Sequence, residues 1–150
     1  MADLSLNLCG VQMKNPIIAA SGTFGFGREY DELYDISALG GISVKGLCLG
    51  GRMGNPPSRL TETPSGMLNC VGLQNPGIES FIEHDLPWLL TKDVAVIANF
   101  FGTSIESYCE AAQAFAPTGS RKACPCSTGY ASPSRYSTVT VTSTVQTSVE

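Results

Sequence analysis

The stretch from Pro16 to Lys45, PIIAASGTFGFGREYDELYDISALGGISVK, contains one complete strand–helix–strand unit. The apolar run Ile17–Ala20 predicts a strand that is buried on both faces, and Ile42–Lys45 predicts a second short strand. Between them, a tight Gly-rich loop over residues 21–27 leads into a predicted helix from Arg28 to Leu39. Because parallel strands need a crossover of this kind, the stretch predicts a parallel sheet with a right-handed connection.

The same alternation continues on both sides of this unit. Alternating apolar and polar residues over 4–13 predict a short antiparallel hairpin before it. After it come a helix over about 78–90, a third strand over 94–99 and a third helix over about 104–115. The repeated strand–helix order is typical of α/β folds with a parallel sheet. The spacing in the first helix predicts that four side chains face the core: Tyr30, Leu33, Tyr34 and Ile36.

Each predicted strand is followed or ended by polar or glycine residues. The residues at the ends of the three strands are, in chain order, Ser21-Gly22, Lys45-Gly46 and Asn99. Ligands bind at the carboxyl ends of the strands in parallel α/β folds, so we expect a binding site at this edge. Two readings of each residue stay open. Lys45 is either a cation that faces a ligand anion or a rim lysine that extends to solvent, and Ser21 and Asn99 are either ligand contacts or ordinary turn residues.

A long connection, GNPPSRLTETPSGMLNCVGLQNPG from Gly54 to Gly77, separates the second strand from the next helix. Compact domains seldom keep such a long connection unless it acts as a lid or binding loop. Its glycines allow backbone N–H groups to approach a ligand closely. The loop also carries three side-chain amides and an Arg/Glu pair: Asn69, Gln74, Asn75, Arg59 and Glu62. We therefore expect it to hold a small, flat, anionic molecule, although its asparagines are also common turn residues.

Composition narrows the function classes. The formal net charge of −4 argues against a nucleic-acid surface. The sequence has no apolar run of about 18 residues and no signal-peptide pattern at its start, so a cytoplasmic protein with cysteine thiols is expected. His84 is expected on a solvated helix face. Cys124-Pro125-Cys126 lacks the spacing and the second pair that a zinc site needs, so no metal site is predicted.

The composition changes near residue 116. Residues 117–150 contain no Leu, Ile, Phe, Met or Trp, and 14 of these 34 residues are Ser or Thr. Such a segment cannot bury enough apolar surface to offset the entropy of ordering. The sequence therefore divides into a folded part over 1–115 and a Ser/Thr-rich tail over 116–150, which is expected to be disordered.

Four segments of the folded part resemble one enzyme family. These are NPIIAASGTFGFGREY (15–30), the Val44-Lys45-Gly46 strand end, the loop over 54–77 and IANFFGTSIESYCEAA (97–112). Together they resemble the catalytic subunits of class 1B dihydroorotate dehydrogenases, over about residues 1–115. The loop motif is highly specific for this family.

This resemblance implies an FMN-binding (β/α)₈ TIM barrel, of which the chain holds the hairpin and about three βα units. It implies that FMN contacts Ser21, Lys45, Gly46 and Asn99. It also implies that dihydroorotate or orotate contacts Lys45 and the loop residues Asn69, Cys70, Val71, Gly72 and Leu73. The implied activity is the oxidation of dihydroorotate to orotate in pyrimidine biosynthesis. The implied partners are a second catalytic subunit in a homodimer and an electron-transfer subunit with FAD and a [2Fe–2S] cluster that reduces NAD⁺.

The sequence departs from the family after residue 115. The family's catalytic cysteine belongs to an Asn-x-Ser-Cys-Pro-Asn motif, whereas the corresponding region here is SRKACPCSTGYASPSRY (120–136). Neither Cys124 nor Cys126 lies in that motif, so no catalytic base is assigned. The tail is expected to be a non-family extension of the kind that a reading-frame shift produces, and the chain is expected to be inactive alone. An alternative is a noncatalytic binding or assembly fragment that keeps the orotate loop without the base.

Overall fold

The computed structural model describes residues 2–8 and 10–115, together with the backbone of two strands at 122–123 and 139–143. It contains three sheets and several short helices. The strands are β1 Leu6–Leu8, β2 Val11–Met13, β3 Ile18–Ala19, β4 Gly41–Leu47, β5 Leu60–Thr63, β6 Gly66–Asn69, β7 Ala95–Phe100, β8 Lys122–Ala123 and β9 Val139–Ser143. The helices are α1 Ser21–Phe24, α2 Arg28–Asp31, α3 Ile78–Ser80, α4 Leu86–Leu89 and α5 Ile105–Phe115, with a 3₁₀ turn at Ile36–Ala38 and a π turn at Phe81–Asp85.

The central sheet has the strand order β3-β4-β7-β9-β8. Strands β3, β4 and β7 are parallel, with Ile18 opposite Gly41 and Gly41 opposite Ala95. This confirms the predicted parallel α/β arrangement. The described residues form no closed barrel, which agrees with a chain that contains only part of one. The predicted hairpin is also confirmed, because β1 and β2 pair antiparallel.

The far edge of β7 is not open. Val139–Ser143 pairs antiparallel with β7, and Lys122–Ala123 pairs with it in turn. At these seven residues the structure therefore differs from the disordered tail expected from composition. Alternating Val and Thr in 139–143 is a pattern that suits a strand, and an open β7 edge offers it hydrogen-bond partners. The prediction for the rest of 116–150 stays a prediction, because those residues lie outside the described part of the chain.

The main core lies between one face of the sheet and the helices. Ile42 and Val44 of β4 are fully buried there, and so are Phe81 and Leu89 from the helical segment after the long loop. Side chains alternate across a strand, so Ser43 and Lys45 lie on the opposite face of β4 and remain only partly buried. The alternation therefore separates an apolar core face from a polar face on the same strand.

A second, smaller cluster closes the amino end of the sheet. Val11 and Met13 of β2 pack with Ala95 at the start of β7. The hairpin thus covers the end of the sheet opposite to the carboxyl edge, where the binding site is expected. Its position leaves that carboxyl edge uncovered by the hairpin.

The prediction of a first helix from Arg28 to Leu39 is wrong over most of that range. These residues form a single turn, α2, followed by a separate 3₁₀ turn at Ile36–Ala38. Asp35 has an extended backbone, and its carboxylate accepts a hydrogen bond from the Ser37 N–H at 2.9 Å, so it caps the new turn and ends the helix. Ile36 is fully buried as predicted, but Leu33 is 79% exposed and Tyr34 is 43% exposed.

Tyr30 is the remaining member of that predicted set. It is partly buried, and its ring stacks on Phe24 with centroids 4.3 Å apart. Phe24 belongs to α1, a short helix that the structure places inside the loop predicted over 21–27. The stack therefore joins this loop to α2.

The predicted burial of the first strand is also wrong. Ile17 is 59% exposed and Ile18 is 38% exposed. The reason is that β3 lies at an edge of the central sheet and has β4 as its single neighbour among the described strands. A double-sided apolar run needs cover on both faces, and at this edge that cover is incomplete.

The predicted helix over 78–90 is confirmed, with one irregularity. Helical conformation extends from Ile78 to Leu89, and a π turn interrupts it between α3 and α4. The Leu86 N–H donates to the carbonyl of Phe81, five residues earlier. Pro87 has no N–H and cannot continue the regular ladder, so a widened turn before it is accommodated easily. The third strand and third helix are confirmed as β7 and α5.

Two leucines test this division between core and surface. Leu89→Ala should lower the free energy of unfolding by about 2–5 kcal/mol, because Leu89 is fully buried. Leu33→Ala, the same change at an exposed site, should alter it by less than about 0.5 kcal/mol. Denaturant unfolding followed by circular dichroism measures both. Equal losses would mean that the first helix packs as the sequence predicts.

Candidate functional site

The polar face of the sheet carries two of the predicted site positions side by side. Gly46 of β4 lies opposite Asn99 of β7 in the parallel register. The Asn99 carboxamide donates to the Ser43 hydroxyl at 2.6 Å and to the Val44 carbonyl at 2.9 Å. The side chain of Asn99 therefore ties the ends of the two strands together. Ser43 was not singled out in the sequence, because its role depends on the strand register.

Lys45 differs from two other lysines of the chain. Lys14 pairs with Asp93 at 2.9 Å and Lys92 pairs with Asp31 at 2.6 Å. Lys45 is a partly buried residue, and its ammonium makes no hydrogen bond or ion pair with any residue that the structure describes. A partly buried ammonium is stabilised by a nearby anion. Lys45 is thus a cation on the polar face that can accept an anionic ligand.

Ser21 lies at the same edge of the sheet. It is the first residue of α1 and follows directly after Ala20, at the carboxyl end of β3. Its side chain is partly buried. The three strand ends Ser21, Lys45-Gly46 and Asn99 therefore lie on adjacent parallel strands, as the sequence analysis expected.

The long connection after β4 is partly regular. Strands β5 and β6 form an antiparallel hairpin, with Leu60 opposite Asn69 and Thr63 opposite Gly66. Every residue of the two strands is exposed. The sequence analysis missed this hairpin, although Pro64-Ser65 between the two strands is a turn signal. Asn69 ends β6, and the other predicted substrate residues, Cys70 to Leu73, follow it.

Asn55 holds the segment after β6 on one side. Its backbone N–H donates to the Val71 carbonyl at 2.9 Å, and its carboxamide donates to the Cys70 carbonyl at 3.0 Å. The same amide nitrogen lies 2.9 Å from the Cys70 sulfur. A side chain on Gly72 would collide with Asn55, since a Cβ there would lie 2.7 Å from the Asn55 nitrogen. Gly72 is therefore needed for this close approach.

Arg59 braces the same loop from within. Its guanidinium donates to the carbonyls of Asn55 and Met53, the latter at 3.1 Å, and to the side-chain oxygen of Gln74. Arg59 and Glu62, the Arg and Glu singled out in this loop, form no ion pair with each other in the described part of the chain. Two backbone carbonyls before Arg59 and the Gln74 side chain instead supply the oxygens that its guanidinium N–H groups need.

Asn75 connects the loop to the end of β4. It is the one polar residue that is fully buried in the described part of the chain, at 7% exposure. Its side-chain oxygen accepts from the Cys48 N–H at 3.2 Å and the Gly77 N–H at 3.1 Å, while its amide nitrogen donates to the Leu73 carbonyl at 2.8 Å. Its backbone also exchanges two hydrogen bonds with Arg52. A buried amide is stable only when its polar atoms are satisfied in this way.

The backbone between these anchors is unusual. Gly72 and Leu73 have consecutive positive φ angles of 81° and 57°, and Leu73 is the one non-glycine residue with positive φ among the described residues. Left-handed conformation is unfavourable for a leucine and persists when surrounding contacts impose it. The hydrogen bond from Asn75 to the Leu73 carbonyl is such a contact.

The structure joins the predicted site residues into two groups. Lys45, Gly46 and Asn99 form one group on the sheet, and Asn69 to Leu73 form the other on the loop. No hydrogen bond connects Lys45 directly to Asn69–Leu73 among the described residues, so the link runs through Asn75 to Cys48, three residues after Lys45. Sequence reasoning missed Asn55 and the anchoring roles of Arg59 and Asn75, because Gln74 reaches Arg59, and Cys48 reaches Asn75, only in the folded chain.

A cavity of about 280 Å³ opens at the same edge, between the loop after β4 and the start of α5. Its walls are Cys48, Leu49, Gly50, Gly51, Arg52, Phe101, Gly102, Thr103 and Ser107. None of the predicted site residues lines it.

At the start of α5, the backbone N–H of Glu106 and then the Ser104 hydroxyl hold the pKa of the exposed Glu106 carboxyl below its ordinary value.

Metal and membrane features were also sought in the described ranges. No cluster of three or more His, Cys, Asp or Glu side chains there could hold a metal ion. His84 is exposed, and Cys124 and Cys126 lie outside the described residues. No helix within 2–8 and 10–115 is long and apolar enough to cross a membrane.

Comparisons with known proteins agree with one another. A family model described as dihydroorotate dehydrogenase matches residues 3–124. The chain is 51% identical over 113 residues to the protein named dihydroorotate dehydrogenase B (NAD(+)), catalytic subunit, of Anoxybacillus flavithermus, covering 75% of this chain and 36% of that protein. It is 57% identical over 106 residues to the protein of the same name from Thermoanaerobacter pseudethanolicus, covering 71% and 35%.

Among solved structures, the fold matches that of an Eimeria tenella DHODH in complex with ferulenol. The TM-score is 0.53 at 15% identity, and the match covers 78% of this chain and 34% of that one. At this identity the match concerns the fold. The chain thus spans about a third of the length of the curated relatives and of this structure.

Two glycines of the loop after β4 test the anchoring geometry. Gly77 has φ +95°, and a Cβ there would lie 2.8 Å from the Gly51 nitrogen, whereas a Cβ on Gly50 would meet nothing within 4 Å. Gly77→Ala should therefore lower the free energy of unfolding by about 1–3 kcal/mol. Gly50→Ala should change it by less than about 0.5 kcal/mol. Thermal or denaturant unfolding measures both, and similar values for the two variants would contradict the close approach of the two loop segments.

Proposed function

Because the chain belongs to the dihydroorotate dehydrogenase family, we propose that it forms the flavin- and pyrimidine-binding part of a catalytic subunit that oxidises dihydroorotate to orotate. In this proposal the reaction serves pyrimidine biosynthesis. The observation that carries the proposal is Lys45, a partly buried residue on the polar face at the carboxyl edge of the sheet, whose ammonium has no partner among the described residues.

The residues of this edge fit an anionic, planar group. In the proposal, Ser21, Lys45, Gly46 and Asn99 hold FMN, which supplies the hydride-accepting chemistry when it is bound. The ammonium of Lys45 offers a fixed positive charge to a group that gains negative charge. Asn99 holds β4 and β7 in register, so that this charge keeps its position on the sheet.

The proposed pyrimidine site combines Lys45 with Asn69, Cys70, Val71, Gly72 and Leu73. Orotate and dihydroorotate carry a carboxylate and ring amide groups. Lys45 suits the carboxylate, and the backbone and side-chain amides of the loop suit the ring. The anchoring of this loop by Asn55, Arg59 and Asn75 supports its use as a preorganised binding segment, because a loop that is ordered in advance loses less entropy on binding.

Proton transfer is not assigned to a residue of this chain. The Asn-x-Ser-Cys-Pro-Asn motif of the family does not occur in the sequence, and the resemblance implies substrate binding, not base catalysis, for Cys70. The noncatalytic binding alternative therefore remains an outcome of the experiment below.

The names of the relatives extend the proposal to partners. A protein called a B-type, NAD(+)-linked catalytic subunit implies an electron-transfer subunit beside it. We propose such a subunit with FAD and a [2Fe–2S] cluster as the electron acceptor for this chain, and a homodimer of catalytic subunits. Cys48, Cys70 and Cys109 are free thiols, which fits the proposed cytoplasmic location.

The test compares two lysines in the purified chain supplied with FMN. Lys45→Gln should weaken orotate binding about 10- to 100-fold, because a charged hydrogen bond contributes about 1.5–3 kcal/mol. Lys14→Gln, which removes a lysine paired with Asp93, should leave orotate binding within about twofold. The orotate-induced change in the visible absorbance of bound flavin measures the affinity.

Three results separate the alternatives. Loss of the oxidised-flavin absorbance when dihydroorotate is added without oxygen supports the dehydrogenase. Binding of orotate without that loss is expected of a chain that lacks the base motif, either as an inactive part of a catalytic subunit or as the noncatalytic alternative. A chain that binds neither FMN nor orotate, or an equal effect of the two lysine substitutions, would refute the proposed site.

A further inference from the structure

The loop over 69–73 is held in a conformation that its own sequence does not favour. Leu73 adopts a left-handed backbone with φ 57°, next to Gly72 at φ 81°. The side chains of Leu73 and its neighbour Gln74 are exposed, so packing of these side chains does not impose the turn. The constraint must come from hydrogen bonds to the backbone.

The Asn75 carboxamide supplies that constraint. Its nitrogen donates to the Leu73 carbonyl at 2.8 Å, while its oxygen accepts from the N–H groups of Cys48 and Gly77. Three segments therefore meet at one buried side chain: the end of the proposed substrate loop, the residue after β4, and the start of the helix at Gly77. No buried side-chain polar atom is left without a partner in the described residues, so the arrangement is fully satisfied.

We propose that Asn75 is a positioning residue for pyrimidine binding, acting through the Leu73 carbonyl. Asn75 is not one of the residues proposed to contact the pyrimidine. Instead, its amide nitrogen fixes the Gly72-Leu73 turn, and its oxygen ties that turn to the strand that carries Lys45. The inference rests on the proposed function of residues 69–73.

The two halves of the carboxamide can be separated by substitution. Asn75→Asp keeps an oxygen that can accept from Cys48 and Gly77 but removes the donor to Leu73. Asn75→Leu, of similar volume, removes all three hydrogen bonds. Asn75→Asp also adds a negative charge, so Gln74→Glu serves as the matched control, since it adds the same charge one residue away and can still accept from Arg59.

Two measurements are made on the purified full chain supplied with FMN. Amide hydrogen exchange reports on the Cys48 and Gly77 N–H groups. Titration with orotate reports on the loop. We expect Asn75→Asp to keep slow exchange at Cys48 and Gly77 while binding orotate about tenfold more weakly than Gln74→Glu. We expect Asn75→Leu to lose both the slow exchange and at least tenfold in orotate affinity.

A purely structural role predicts a different pattern. In that case Asn75→Asp, which keeps the ties to Cys48 and Gly77, would bind orotate as well as Gln74→Glu does, and the inference would be wrong while the proposed function stands. Faster exchange throughout β4 and β7 in Asn75→Asp would also overturn it, because the loss of affinity would then follow from general unfolding. A wild-type chain that does not bind orotate would overturn the proposed function, and this inference with it.

Discussion

The pairing of β4 with β7 is the constraint on which the rest of this structure depends. The parallel register places Gly41 opposite Ala95 at one end and Gly46 opposite Asn99 at the other. Because side chains alternate along each strand, one face of the pair is apolar and packs against the helices, while the other carries Ser43, Lys45 and Asn99. Burial on the first face holds the second in place. The pairing has a register shift between Ser43 and Gly46. Slipping the regular part of β4 before this shift by one residue would exchange the two faces and remove the core and the candidate site together.

The loop after β4 shows how a long connection becomes ordered with little apolar burial. Its hairpin is exposed throughout, so apolar packing contributes little to its order. Hydrogen bonds to the loop's backbone carbonyls instead come from the side chains of Asn55, Arg59 and Asn75. Such hydrogen bonds contribute modestly one by one, but losing one partner leaves a polar group unsatisfied, which costs more than the bond contributes. This asymmetry explains why a buried amide can govern a loop conformation that includes a left-handed leucine.

The parallel sheet agrees with the membership of the chain in the dihydroorotate dehydrogenase family. The chain spans about a third of the length of its relatives. Within that third, the described residues provide a cation, a polar sheet face and an anchored loop. These are binding features. The base motif of the family is not in the sequence, so ligand binding and turnover are separate proposals for this chain.

The sequence by itself determined the features that repeat locally. Apolar runs and helical periodicity were enough to predict β4, β7, α5 and the parallel arrangement, and the strand ends placed Ser21, Lys45 and Asn99 on one edge. Tertiary structure decided the rest. Asp35 capped a new turn where periodicity alone predicted a continuous helix, and the edge position of β3 exposed Ile17 and Ile18 despite their apolar run. The role of Asn75 depends on Cys48, which lies 27 residues away in sequence and which only the folded chain brings to the amide that holds Leu73. The hydrogen bonds of such a side chain depend on its neighbours in space as well as in sequence.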